Sequence, residues 1–179
     1  MATSCFSFLR WRVAEVMLMT VNQIVPDELR DQLRDAAAGA YASFEGWIRN
    51  HNDGLPVVRL EYEAYAPLCV TEGEKIIAEA GSRWKVLHAR CVHRSGILEI
   101  GECAVWVGVS SAHRDEAFHA CRFIIDQVKL RLPIWKKEHY ANGDSGWVKC
   151  ERCANHGVKQ GEHQGHDHGL RPQDATIGR

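Results

Sequence analysis

Apolar positions recur along this chain with two spacings, and the places where the spacing changes divide it into elements. Residues 40–49 alternate small or apolar side chains (Ala40, Ala42, Phe44, Ile48) with Tyr41, Ser43, Glu45, Trp47 and Arg49, the period-two pattern of a half-buried strand. The following run, Asn50-His51-Asn52-Asp53-Gly54, consists of turn formers, with Gly54 free to take positive φ. Alternation resumes over 57–65, so the two segments predict a hairpin with a long loop. Residues 87–93 and 97–109 predict a second strand pair around Ser95 and Gly96, and the stretch from Cys103 to Val109 is apolar enough to be central in a sheet.

Helical spacing appears in three places. Pro26 opens a short helix with Leu29 and Leu33 on one side, at a position where a missing N–H costs nothing; it predicts an N-terminal cover. A second helix starts at Pro67 with Cys69, Ile76, Ala80 and Trp84 on its buried side, and Gly73 weakens its middle. The third is the clearest: Ser110 or Ser111 caps it, Asp115 and Glu116 occupy its first turn, and Phe118, Cys121, Ile125, Val128 and Leu132 form its stripe. Pro133 ends that helix, after which 134–139 and 146–150 predict a last hairpin around the turn-rich segment Ala141-Asn142-Gly143-Asp144-Ser145-Gly146. Hairpin, helix, hairpin, helix, hairpin describes an α+β fold with a largely antiparallel sheet. Residues 19–149 form the domain, 1–18 read as an N-terminal extension, and 150–179, polar and without periodicity, as a flexible tail rich in Cys and His.

Composition narrows the function classes. With 179 residues, 45% hydrophobic and 25% charged, the chain matches a globular protein of one domain with room for a core. A net charge of −1 supplies no global field for nucleic acid or an acidic membrane, so any anion site must come from local clustering. Of the seven cysteines, Cys69, Cys91, Cys103 and Cys121 sit in apolar patterns where a reduced thiol packs as a small hydrophobe, which points to a reducing compartment, read as the cytoplasm. The first segment is interrupted by Arg10, Arg12 and Glu15, so it lacks the apolar core of a secretory signal and is too short to span a bilayer. Its two arginines also suit an organelle presequence, and a start at Met17 or Met19 accounts for it equally.

Candidate chemistry gathers at the end of the third helix, where Lys129, Lys136 and Lys137 stand among Ile125, Pro133 and Trp135. Lysines held among apolar neighbours lose hydration, which suits proton transfer or the clamping of an anion. Taken alone, Lys129 reads equally as a solvated helix end whose charge complements the helix dipole. His113 and Arg114, in a helical first turn, have backbone N–H groups nearby that suit a phosphate or a ring oxygen. In the tail, Cys150, Cys153 and His156 have C-x2-C-x2-H spacing, followed by His163, His166 and His168, all donor types that bind zinc. A structural zinc site draws on two ordered ends, whereas this tail offers one knuckle and then a flexible His-rich run, which reads first as an adventitious or disordered tail; a metal-handling module on a dimeric platform stands as the alternative function. A Schiff-base enzyme using Lys129 or Lys136 is a third.

The segments FEGWIRNHNDG (44–54), LEYEAY (60–65), HRSGILEIGE (93–102), SSAHRDEAF (110–118) and PIWKKE (133–138) together resemble the catalytic large subunit of molybdopterin synthase, in order from about Val21 to Val148. The resemblance implies an α/β-hammerhead fold and a homodimer that binds one small ubiquitin-like subunit per protomer, making a heterotetramer. It implies that the small subunit's C-terminal Gly-Gly thiocarboxylate enters a pocket and passes sulfur to cyclic pyranopterin monophosphate, giving the dithiolene, with no cofactor required. Lys129 and Lys136 look like the family's catalytic pair. Trp47, Ile48, Arg49, His113, Arg114, Lys137 and Glu138 look like substrate contacts beside them, although Trp47 stands where many members carry a basic residue. His93, Arg94, Tyr62 and Tyr65 read as structural or packing residues.

Overall fold

The computed structural model describes residues 17–149; residues 1–16 and 150–179, and with them the proposed metal ligands Cys150, Cys153 and His156, lie outside the described residues. Among the described residues no helix is long and apolar enough to cross a membrane.

The centre of the molecule is β7 (Cys103–Ser111), nine consecutive buried residues. A strand buried on both faces needs a hydrogen-bonded neighbour on each edge. It takes β5 (Val86–Arg94) on one side and β2 (Ala40–Trp47) on the other, both antiparallel, and β1 (Met17–Thr20) adds to β5 in parallel. Alternate side chains of β7 feed two clusters. Val105, Val107 and Val109 pack under α2 (Ala66–Arg83) and α3 (Arg114–Arg131), while Trp106 packs with Ile24, Leu33 and Val92 in the cluster that α1 (Pro26–Asp31) adjoins. Trp106 is fully buried, and a Cβ on Gly108 would lie 2.4 Å from its ring, so only glycine admits the indole there.

A second sheet has the order β3 (His51–Asn52), β4 (Leu55–Ala64), β8 (Ile134–Tyr140), β9 (Ser145–Lys149), with β6 (Gly96–Glu99) also pairing β4. The predicted α+β class and largely antiparallel pairing are observed, as are the third helix and the final hairpin.

Five expectations need correction. The strands flanking 50–54 do not pair with each other: β2 joins β7 and β4 joins β8, because alternation fixes the face of a strand and leaves its partner to long-range packing. Met17 and Leu18, assigned to the extension, belong to β1. Phe118 is 63% exposed, because the small residues Ala117 and Ala120, with Ile124 and Val128, form the face that settles on the sheet. The N-cap of α3 is His113; Ser110 and Ser111 end β7, where the Ser111 hydroxyl donates to the His113 carbonyl. Gly73 is a requirement of the packing, since a Cβ there would meet the Met17 side chain at 2.3 Å.

Candidate functional site

The C-terminal end of α3, the ends of β2 and β5, and the facing surfaces of β4 and β8 enclose a cavity of about 330 Å3 along the seam of the two sheets. Its apolar walls come from Phe44, Leu60, Ile125, Val128 and Ile134, and three cations reach into it: Arg49, Lys129 and Lys136. Local sequence puts them there. The last turn of α3 carries Lys129, beside carbonyls that no longer have helical partners and that favour a cation. A register shift at Gly46/Trp47 makes the end of β2 irregular, and Arg49 follows two residues beyond the strand. On β8 the period-two alternation sends Lys136 and Glu138 to the cavity side and Lys137 away from it.

The three cations are held differently. Among the described residues no carboxylate pairs with Lys129; its ammonium lies 5.6 Å from the centroid of the Phe44 ring, which offers a negative π-face. Lys136 sits 2.9 Å from Oε1 of Glu138. Glu138 is 1% exposed, and its Oε2 accepts from the Tyr140 hydroxyl at 2.5 Å and from the Asn52 amide at 2.9 Å. Burial alone would push this carboxyl up. The bonds from Tyr140 and Lys136, the Lys136 charge and the Asn52 amide more than offset that, and the group rests below the usual carboxylate range. Arg49 donates through Nη2 to the Asn52 Oδ1 at 2.6 Å.

His93 lines the same cavity, 6% exposed, with Nδ1 at 2.8 Å from the Arg94 carbonyl and the Tyr62 ring edge-on at 5.3 Å. Burial first, and Lys129 in addition, lower its pKa to about 4, against the upward effect of the Arg94 carbonyl. The ring is therefore neutral near pH 7, with the proton on Nδ1 and the Nε2 lone pair unprotonated.

A small cavity lined by three cations and by the carboxylates of Glu45 and Glu138, with Glu138 already engaged by Lys136, suits an anionic ligand, and its apolar walls suit a planar ring.

The comparisons with known proteins identify the family. The family model described as MoaE protein matches residues 19–131. The chain belongs to the MoaE family. It is 37% identical over 150 residues to the molybdopterin synthase catalytic subunit of Nostoc sp., covering 83% of this chain and 91% of that one. It is 42% identical to that of Thermoplasma volcanium, covering 72% and 94%, and 35% identical to that of Homo sapiens, covering 78% and 73%. Among solved structures, molybdopterin synthase from Staphylococcus aureus aligns with a TM-score of 0.69 and 33% identity over 73% of this chain and 94% of that one. A complex of subunits 1 and 2 of the molybdopterin-converting factor from Helicobacter pylori, 22% identical, shares the fold at a TM-score of 0.63 over 75% of this chain and 90% of that one. As a MoaE-family chain, the protein is a sulfur-transferring enzyme of molybdenum cofactor biosynthesis.

Not every expected MoaE-family contact reaches the cavity. Trp47, Arg49, Lys129, Lys136 and Glu138 line it. Ile48 is buried against Val57, Leu60, Leu98 and Ala104 instead, and its N–H and carbonyl are taken by Glu102 and Gly101. Lys137 lies 5.7 Å from the Trp147 ring on the other face of the sheet. His113 and Arg114 are exposed at the opposite end of α3, about 22 Å from Lys129 along the helix axis. Sequence reasoning left Asn52 and Tyr140 out of the site and gave Tyr62 and His93 packing or structural roles. The juxtaposition HR before Ser95-Gly96 marked His93 as the end of a strand, and nothing local marked the cavity beyond it.

Proposed function

We propose that the cavity at the C-terminal end of α3 is where sulfur passes from the thiocarboxylate of a small ubiquitin-like subunit to cyclic pyranopterin monophosphate. The name of the relatives, a catalytic subunit, implies such a second chain. The observation that carries the proposal is the convergence of Arg49, Lys129 and Lys136 on one cavity whose buried carboxylate, Glu138, is already occupied by Lys136, Asn52 and Tyr140.

In this reading a thiocarboxylate anion must approach an electrophilic pterin carbon while the substrate's phosphate sits nearby. Two anions repel one another in a low-dielectric cleft, and fixed cations offset that repulsion without reorganising during the reaction. Lys129 has no competing carboxylate among the described residues and serves the incoming thiocarboxylate and the moving proton. Lys136, steadied by Glu138, and Arg49 hold the phosphate. Sulfur arrives already activated, so the reading requires no cofactor of the chain's own. His113 and Arg114, too distant within one protomer, act in the cavity of a second copy, which makes the working assembly a homodimer with two small subunits. The cytoplasm is the compartment this chemistry and the reduced cysteines suit.

The test is reconstitution from purified components. Full-length protein, thiocarboxylated small subunit and precursor are incubated, and the dithiolene product is measured. Product at stoichiometric yield is expected; its absence from the unaltered protein ends the proposal.

A further inference from the structure

We infer that Asn52 is a positioning residue for this reaction: its side-chain amide ties Arg49 to the buried Glu138–Lys136 pair and so sets where Arg49 stands relative to Lys136. The inference rests on the reading above only for the identity of the anion those cations receive.

Asn52 belongs to the two-residue strand β3 and precedes Asp53 and Gly54, whose φ values of 47° and 81° reverse the chain into β4. An asparagine in such a place commonly serves its own turn, by an Asx bond to backbone two residues on. This one reaches elsewhere. Oδ1 accepts from Nη2 of Arg49 at 2.6 Å, and Nδ2 donates at 2.9 Å to Oε2 of Glu138, 86 residues further along the chain. A guanidinium only donates and an ionised carboxylate only accepts, so one orientation of the amide satisfies both and the other satisfies neither. The Glu138 charge therefore places Lys136 through Oε1 and Arg49 through Oε2 and the amide. An arginine side chain has rotamer freedom to lose on binding a ligand, and one already held loses less.

The amide cannot be replaced by a carboxylate of the same shape. Asp at this position suits a turn as well as Asn does, so a purely structural role tolerates it. A second carboxylate against Oε2 of Glu138 repels that group and competes with the ligand for Arg49. Leu removes both bonds while keeping the volume.

The experiment compares full-length wild-type protein with Asn52→Asp, Asn52→Leu and Tyr140→Phe, by calorimetric titration with inorganic phosphate and by KM and kcat in the reconstituted assay. For Asn52→Asp, phosphate affinity is expected to fall about tenfold and KM for the precursor to rise by a similar factor, while kcat stays close to wild type and repulsion from Glu138 lowers the melting temperature of a protein that still folds. Asn52→Leu is expected to show a smaller change in the same direction, and Tyr140→Phe, which keeps the amide, the least. If Asn52→Leu does not fold, the isosteric Asn52→Asp carries the comparison. Wild-type phosphate affinity and KM in Asn52→Asp overturn the inference, as does a wild-type cavity that takes up no phosphate. Should the wild type bind phosphate and make no dithiolene, the proposed function fails while the phosphate titrations still decide the role of Asn52.

Discussion

The two ends of α3 carry the same kinds of side chain, and the fold treats them in opposite ways. At the C-terminal end Lys129 enters a cavity walled by two sheets, where Lys136 and Arg49 are already placed by Glu138 and Asn52. At the N-terminal end His113 and Arg114 stand exposed. One end is organised within a single chain, where the buried Glu138 holds Lys136 directly and Arg49 through Asn52, beside a Lys129 that no carboxylate pairs with among the described residues. The other leaves its basic groups in water, where they contribute little to stability and are available to a second chain. Buried polar groups at the first end should therefore matter to folding and function together, and those at the second to function alone.

The largest effect tests the first half of that contrast. Glu138→Ala leaves Lys136, whose side chain is 13% exposed, without its counter-ion and strands the Tyr140 and Asn52 donors. Breaking a buried pair from one side costs about 3–5 kcal/mol, to be read from denaturant unfolding. A loss below about 1 kcal/mol would show that the network adds nothing to the fold.

His93 supplies the next. Its folded-state pKa of about 4 lies below the ordinary 6.5, so between those values the unfolded chain binds the extra proton. Stability is level above pH 6.5 and falls as the pH drops toward 4, by about 3 kcal/mol from this group alone. Replacing it in His93→Gln should flatten the stability profile across that window. The carboxyl of Glu138, held below its usual range, adds a separate loss below about pH 4.5, since its contribution disappears as it takes a proton.

The smallest effect on stability belongs to the other end. Arg114→Ala should leave unfolding within about 0.5 kcal/mol of wild type while lowering sulfur transfer by roughly ten- to a hundredfold. Mixing Arg114→Ala with Lys129→Ala chains should restore part of the activity, because a dimer containing one of each has one cavity with all its groups intact. Activity no higher than the sum of the separate variants would place Arg114 outside the partner's cavity.

Much of this contrast was legible along the chain. Pro133 marked the end of α3 and put Lys129 in its last turn, and alternation on β8 separates Lys137 from Lys136 and Glu138, although the family resemblance had placed all three at the substrate. The order of helices and strands was readable for the same reason, since periodicity is a local property. Sheet partners were not: β2 and β4 are adjacent in sequence and separate in space because β7, buried throughout, takes β2 as its second edge. The exposure of Phe118 was hidden because a helical stripe drawn through large residues overlooks the alanines that let α3 approach the sheet. Asn52 could not be found in a turn-forming run, since its partner lies 86 residues away. Its role exists only once two sheets meet.

One measurement bears most directly on the claim that the C-terminal end of α3 is the reactive one. In the reconstituted assay, single-turnover rates are compared for wild type, Lys129→Ala and Arg122→Ala, the last altering an exposed ion pair with Asp126 on the same helix. Lys129→Ala should slow dithiolene formation by roughly a hundredfold or more with an unchanged melting temperature, and Arg122→Ala should match wild type. A Lys129→Ala protein that transfers sulfur at the wild-type rate would contradict the account.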